Sequence, residues 1–323
     1  MIPIEQPPLP AVDDYPTPCP FEGAINAAHT RFLKELNSPT DGWQEIAEKD
    51  GVQLSKKWDE SNENPIPLSR GETVVEGITP EAFLAGVVQL PGMRKLWDAR
   101  TEYGYMMRRY SADTVMFYAL TKGKRFIAKA RDMVGIQRNY AGTDGTRYII
   151  QTSVDTDVVP EQKGTTRATL MLSGWAFIPE GSNTRVIYIL DVALNGRIPT
   201  AIASMATTES PLSAGRARDT FYQYGHAPFV HISPDQPEPK IVFQLESISD
   251  FPQREYRCTV TTRAVGETFE ILYDVERMYK AEGGVQVTVE GEGGVEVEDN
   301  GSGIVTVRTT EEGKTATMVL TPK

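Results

Sequence analysis

The sequence predicts an α+β fold in its first two thirds and an all-β domain in its last third. Runs rich in Val, Ile, Thr, Tyr and Phe, separated by turn signals, extend from Trp43 to Leu194, with an amphipathic helical pattern before and after them. A proline-rich segment at 231–239 follows, and seven short alternating runs come after it. We therefore expect four parts: a proline-rich arm (1–20), a mixed domain (21–230), a linker (231–239) and a β-sandwich (240–323).

Composition and charge exclude several classes of protein. The 323 residues carry a net charge of -11, which argues against a nucleic-acid partner, because phosphate binding needs an excess of Lys and Arg on one face. The two cysteines lie far apart and predict neither a disulfide framework nor a metal site. The pattern at the N-terminus and the hydropathy along the sequence predict neither a secretory leader nor a membrane span. We expect a cytoplasmic protein.

The first half of the mixed domain reads as helix, three strands, two short helices and two strands. The first helix carries an apolar stripe that includes Ile25 and Phe32, and it stops at Asn37-Ser38-Pro39. Thr79 and Pro80 supply an N-cap and a first helical residue. The predicted strands are Trp43–Glu48, Gly51–Trp58, Pro67–Glu76, Glu102–Tyr110 and Asp113–Thr121, and the short helices are Pro80–Gln89 and Met93–Asp98.

Four further strands are predicted to form an antiparallel meander, because connections of a few residues join only antiparallel neighbours. These strands are Phe126–Arg138, Thr146–Val154, Thr166–Pro179 and Asn183–Leu194. Both faces of the third are partly apolar, so the sheet needs cover on both sides. A helix at 199–222 follows, and Pro211 interrupts it with a kink. Gly174, beside Trp175, suggests a bend in the sheet.

The last third predicts a small β-sandwich of immunoglobulin-like kind, an architecture that identifies no function. Its strands are Lys240–Ile248, Gln253–Ala264, Glu267–Val275, Val285–Glu290, Val295–Glu298, Ile304–Thr309 and Lys314–Leu320.

The residues offer little for catalysis. None of the three histidines, His29, His226 and His231, sits beside a nucleophile or carboxylate that would complete a catalytic group. Cys19 lies between two prolines and reads as inert, and neither a glycine-rich phosphate loop nor a metal-ligand spacing occurs. We expect a protein that is not an enzyme and that needs neither a metal nor another cofactor.

Seven short segments, in order and suitably spaced over about residues 21–230, resemble the landmarks of START lipid-transfer domains. They are Ala130–Val134, Ser153–Asp155, Val159–Glu161, Thr166–Ala168, Ser173–Trp175, Thr184–Tyr188 and Asn195–Pro199. The resemblance implies the helix-grip fold, in which a curved antiparallel sheet wraps a long C-terminal helix and encloses a tunnel for one lipid. Within the first segment, Arg131 and Asp132 point to opposite faces of a strand, and structural roles such as an ion pair at the sheet edge are favoured.

The resemblance also implies where the ligand binds. Sterol-binding members pair an acid on the fifth strand with an arginine on the sixth; counting from Arg131-Asp132 places Tyr118 and Gln137 there. A neutral pair can hydrogen-bond a hydroxyl, ester or amide but weakens the case for a sterol. Alternatively, these are ordinary strand residues, since a register slip of one swaps the faces. The full predicted lipid-binding set is Met116, Tyr118, Met133, Gln137, Leu170, Leu172, Ile202, Met205 and Ala206.

The gate is predicted at the last helix of the mixed domain and at the basic loop that, by resemblance, faces it. Lys122, Lys124, Arg125 and Phe126 could dock on an anionic membrane, and the alternative is a solvated basic loop. The kinked helix could move as a lid or simply bend to follow the core.

These observations predict a cytoplasmic, peripheral-membrane protein that binds one lipid and transfers it between membranes. The ligand classes left open are phospholipid, fatty acid, sterol and other isoprenoid. One alternative is a lipid sensor whose β-sandwich recruits a partner. The other is a helix-grip enzyme of cyclase or hydrolase type, with Tyr118 or an acidic residue of the cavity as general acid.

Overall fold

The computed structural model describes residues 15, 18–38, 40–58, 64–123, 129–196, 200–233 and 237–323, with backbone only at 200–202, 204 and 205. The chain divides into two compact units. The helix–sheet unit comprises Thr17–Leu84 and Trp97–Asp219, and the β unit comprises Ala85–Leu96, Thr220–Lys323 and, of the N-terminal residues, Tyr15.

Five α-helices occur in the described residues, in chain order α1 Glu22–Asn37, α2 Pro80–Phe83, α3 Pro91–Trp97, α4 Thr200–Glu209 and α5 Ser213–Tyr224. Thr79 caps α2 as predicted, because its hydroxyl accepts a hydrogen bond from the amide of Ala82. The helix continues as a π-helical segment over Leu84–Gln89. None of the described helices is long and apolar enough to cross a membrane.

Ten strands of the helix–sheet unit form one sheet. They are β1 Gln44–Lys49, β2 Val52–Lys57, β3 Leu68–Val75, β4 Thr101–Arg109, β5 Thr114–Thr121, β6 Ala130–Ala141, β7 Arg147–Ser153, β8 Thr165–Arg167, β9 Thr169–Glu180 and β10 Asn183–Ala193. The strand order is β1-β2-β3-β10-β9-β7-β6-β5-β4, with β8 paired to β6.

The meander β6-β7-β9-β10 is confirmed, since each successive pair is antiparallel. The prediction of a single strand over Thr166–Pro179 is wrong. This stretch divides into β8 and β9 at Ala168, whose amide donates to the carbonyl of Asp132. β8 pairs with β6 in the parallel direction. The antiparallel meander predicted from the short connections did not include this pair.

Helix α1 covers one side of the ten-stranded sheet, here called the α1 face. His29 stacks on Tyr140 of β6, and Phe32 packs against Gly174 of β9. A Cβ at position 174 would lie 2.0 Å from Cδ2 of Phe32, so only glycine lets the ring approach this closely. The glycine that suggested a bend is therefore a packing site for α1.

Other elements cover the opposite side, here called the inner face. Phe83 of α2 contacts Phe177 of β9, with ring centroids 5.9 Å apart. Leu212 forms a buried cluster with Val52 and Leu54 of β2. The sheet is thus covered on both sides, as its two partly apolar faces require.

The predicted interruption of the last helix is present. α4 ends at Glu209 and α5 begins at Ser213, with Pro211 between them. The carbonyl of Pro211 lies against Gly71 of β3, where a Cβ would approach the oxygen to 2.3 Å. The break is thereby fixed against the sheet.

The β unit contains two four-stranded sheets. Its strands are β11 Phe229–His231, β12 Ile241–Ile248, β13 Tyr256–Thr262, β14 Thr268–Leu272, β15 Val285–Gly291, β16 Val295–Asp299, β17 Ile304–Thr309 and β18 Thr315–Pro322. The sheet orders are β11-β14-β17-β16 and β12-β13-β18-β15, and Phe243 of one sheet packs edge-on against Phe269 of the other.

All seven strands expected in the last third are present, and β11 is additional. β11 pairs with β14, so the backbone pairing of the β unit begins at Phe229, before the linker expected at 231–239. The four-part division of the chain stays a prediction.

Candidate functional site

Strand register assigns the predicted lipid-binding residues to two different faces. Residues directly opposite each other in an antiparallel pair point to the same side of the sheet. Met116 lies opposite Ile136, and Tyr118 lies opposite Val134. Following the opposed residues from β6 across β7 to β9 leads to Gly174. Met116 and Tyr118 therefore lie on the same side of the sheet as Gly174, which is the α1 face.

Leu172 also lies on the α1 face. It is opposite Asp191, whose carboxylate accepts a hydrogen bond from Arg31 of α1 at 2.6 Å. Leu170 is buried beside a register shift between β9 and β10, where the alternation of faces is interrupted. Ala206 is half-buried in α4, and the side chains of Ile202 and Met205 lie outside the described residues.

The prediction of a Tyr118–Gln137 polar pair is wrong. Gln137 lies opposite Val115 of β5, so it points to the inner face, as does Met133 opposite Ala119. An offset of one residue on either strand moves a side chain to the other face, so the count from the Arg131-Asp132 motif did not bring Tyr118 and Gln137 together. The fifth-strand residues that share the inner face with Gln137 include Val115, Phe117 and Ala119, all apolar.

Tyr118 is buried beside an ion pair. Asp132, which is fully buried, accepts a hydrogen bond from Nη2 of Arg167 at 3.0 Å. Burial, and then the nearby carboxylate of Asp132, raises the pKa of Tyr118. Tyr118 thus stays protonated at neutral pH, and it lies across the sheet from the inner face, which removes one of the candidate general acids of the enzyme hypothesis from that face.

A chain of polar side chains crosses the inner face. Nε2 of Gln151 donates to Oε1 of Gln137 at 2.8 Å, and Oγ of Ser173 donates to Oε1 of Gln151 at 3.0 Å. Nε2 of Gln137 donates to Oδ1 of Asn139 at 3.2 Å. Gln137, Gln151 and Ser173 lie directly opposite one another on β6, β7 and β9, so the pairing of the strands aligns the chain.

Apolar side chains surround this polar chain. Met106, Phe117 and Met133 share the inner face and keep part of their surface exposed. Towards β10 the face is closed by buried aromatic rings, with Trp175 stacked on Tyr188 at 4.1 Å between ring centroids. The inner face therefore has a packed aromatic end and a partly accessible apolar end, with neutral hydrogen-bonding groups between them.

Gln151 and Ser173 were not singled out from the sequence. Two-residue periodicity puts Ser173 on the same strand face as Trp175, and puts the predicted binding residues Leu170 and Leu172 on the other face. Two-residue periodicity gives two faces without saying which one is enclosed. The signal that identifies the inner face is the contact between Phe32 and Gly174, which exists only in the folded chain.

The joint between α4 and α5 is held by side chains of the helix–sheet unit. Arg100 donates from Nη1 to the hydroxyl of Ser210 at 2.9 Å. Arg216 and Lys49 both pair with the carboxylate of Glu209. A lid motion of α4 would therefore have to break these contacts or pivot beside them.

The predicted membrane-docking residues are only partly described. The Nζ of Lys122 donates to the carbonyl of Ala99 at 3.1 Å. Lys124, Arg125 and Phe126 lie outside the described residues. Among the described residues, no cluster of His, Cys, Asp and Glu is suited to hold a metal ion.

Comparison with protein families matches the START domain model over residues 25–225. The chain belongs to the START domain family. This family is known for lipid binding and transfer, and its members are in general binding modules rather than enzymes. The search against curated proteins finds no significant match.

Solved START structures share the fold. The chain is similar to human StAR-related lipid transfer protein 5, with 22% identity and a TM-score of 0.55 over 63% of this chain and 98% of that one. The human StarD13 (DLC2) lipid transfer and protein localization domain is 21% identical, with a TM-score of 0.50 over 61% of this chain and 98% of that one. Human STARD10 is 16% identical, with a TM-score of 0.54 over 60% of this chain and 78% of that one. The helix-grip fold implied by the sequence is thus confirmed for the START region.

Proposed function

We propose that this START domain binds a single lipid against its inner face and transfers it between membranes. The observation that carries the proposal is the polar chain of Gln137, Gln151 and Ser173 in the middle of an otherwise apolar face. Ligand sites combine mostly apolar walls with a few polar groups that orient one end of the ligand. Burial of the acyl or isoprenoid part then contributes about 0.8 kcal/mol per methylene.

Binding requires no chemical step in this proposal. The lipid's polar end exchanges water for hydrogen bonds with the amides, and its apolar part covers the exposed surface of Met106, Phe117 and Met133. Ligand classes compatible with such a site are phospholipid, fatty acid, sterol and other isoprenoid.

Native mass spectrometry of the purified full-length protein tests the proposal. We expect a bound lipid of defined mass at one copy per chain, released on denaturation and identifiable in the extract. Protein that stays lipid-free after incubation with mixed vesicles, and that moves no labelled lipid between vesicles, would contradict it.

The polar chain predicts the effect of one substitution. Gln151→Leu keeps the side-chain size but removes the donor to Gln137 and the acceptor for Ser173. A hydrogen bond contributes about 1 kcal/mol, so we expect the co-purified lipid to bind about five- to tenfold more weakly in a fluorescence displacement titration. Gln53→Leu, at an exposed position of β2, is the matched control. If both variants bound the lipid with equal affinity, the polar chain would not be part of the lipid-binding site.

We further propose that Lys122, Lys124 and Arg125 dock the protein on an anionic membrane. Each basic residue near such a surface contributes about 1 kcal/mol, so reversing all three charges should lower binding to phosphatidylserine vesicles about 100-fold or more in a sedimentation assay. The control reverses three exposed, scattered lysines: Lys34, Lys163 and Lys280. If both triple variants lose binding equally, net charge rather than the loop is responsible.

A further inference from the structure

Arg109 is a buried cation at the edge of the inner face. It is 3% exposed and lies at the end of β4, opposite Val115 of β5. Val115 in turn lies opposite Gln137. Arg109 therefore extends the same row of the sheet that contains Gln137, Gln151 and Ser173.

The guanidinium of Arg109 is only partly satisfied. Its Nη1 donates to the carbonyl of Ala112 in the β4–β5 turn. Its Nε and Nη2 are buried and have no hydrogen-bond partner in the described part of the chain. No carboxylate of the described residues pairs with it.

Two other buried arginines of the same unit are compensated. Arg70 pairs with the carboxylate of Glu72 at 3.0 Å, although its Nη1 is also buried without a hydrogen-bond partner among the described residues. Arg131 donates to the carbonyls of Lys129, Leu194 and Asn195. Because burial of a charge without a partner is costly, Arg109, which pairs with neither a carboxylate nor several carbonyls, is the buried arginine of these three where an external anion would compensate most.

The two free groups have the geometry of an anion-binding fork. Nε–H and one N–H of Nη2 lie on the same edge of a guanidinium and point in parallel. That edge forms two hydrogen bonds to the two oxygens of a carboxylate or phosphate. The contact to Ala112 fixes the opposite edge and so orients the fork.

We propose that Arg109 binds the oxyanion of the lipid headgroup, a carboxylate or a phosphate. The proposal rests on the proposed function and narrows its ligand class to anionic lipids. Neighbouring strands are about 4.8 Å apart, so the backbones of Arg109 and Gln137 lie about 10 Å apart across β5. In this proposal the headgroup lies over Val115, which is itself buried, between the fork and the amide of Gln137.

Calorimetric titration of delipidated full-length protein tests this with four probes: oleate, oleyl alcohol, monooleyl phosphate and inorganic phosphate. The wild-type protein should bind oleate or monooleyl phosphate about 10- to 100-fold more tightly than oleyl alcohol, as expected for charge-assisted hydrogen bonds. In Arg109→Met this ratio should fall to about one. Arg109→Lys keeps the charge but lacks the fork, so its ratio should be intermediate.

Arg108→Met is the matched control, because Arg108 is the exposed neighbour on the α1 face, over the ring of Tyr110. It should keep the wild-type ratio. The relative affinities of oleate and monooleyl phosphate decide between carboxylate and phosphate. If inorganic phosphate bound as tightly as monooleyl phosphate, the proposal that the anion belongs to a lipid headgroup would be wrong.

The outcomes separate this proposal from the proposed function. Equal binding of oleate and oleyl alcohol by the wild type overturns the role of Arg109 but leaves lipid binding intact. Failure of every amphiphile to bind overturns both. Thermal unfolding supplies a second readout: oleate should raise the melting temperature of the wild type and not that of Arg109→Met. Arg109→Met that melts well below the lipid-free wild type would instead assign Arg109 a structural role.

Discussion

Gly174→Ala is expected to destabilise the helix–sheet unit by about 3 kcal/mol, because a new methyl group would overlap the buried ring of Phe32. The nearest ring atom lies 2.0 Å from the position of the added Cβ, and Phe32 is fully buried, so the ring has little room to withdraw. Urea unfolding followed by tryptophan fluorescence measures this unit specifically, since Trp43, Trp58, Trp97 and Trp175 all belong to it.

Two variants sharpen the test. Gly23→Ala, in α1 with open space around the new methyl group, should leave stability unchanged or raise it slightly. In a Phe32→Ala background the overlap is gone, so the cost of Gly174→Ala should fall by about 2 kcal/mol. Additive effects of the two substitutions would mean that α1 does not pack at this glycine.

Asp132→Ala is expected to cost about 3 kcal/mol in the same measurement. Asp132 is fully buried and is the acid that pairs with Arg167. Removing one partner of a buried ion pair leaves the other charge uncompensated, and the partial exposure of Arg167 places the cost at the low end of the usual range. The remaining contacts of Arg167 are backbone carbonyls of Val159 and Pro160.

Asp41→Ala provides the matched control, because Asp41 is 70% exposed and lies 3.8 Å from Lys57. Exposed ion pairs contribute at most about 1 kcal/mol, so this variant should unfold close to the wild type. A loss of stability in Asp132→Ala no larger than that in Asp41→Ala would show that the Asp132–Arg167 pair contributes little.

The membership of Arg131 and Asp132 in one strand was readable from the sequence, and so was their orientation to opposite sides. Local alternation is enough for that conclusion. Their partners were not readable: Arg131 bonds to carbonyls near Leu194, and Asp132 reaches Arg167 across the parallel pairing of β6 and β8. These contacts join residues 35 and 63 positions apart, which no local pattern specifies.

The sequence by itself determined the elements and the family. Alternation, turn residues and the Thr79 cap are local signals, so they placed nearly all the helices and strands, and the segments such as Ser173–Trp175 identified the START domain. The tertiary structure alone decided which face is enclosed. Phe32 against Gly174 fixes the α1 face, and one residue of register separates Tyr118 from the side that carries Gln137. Because a strand presents two equivalent faces, only packing against the rest of the chain distinguishes them.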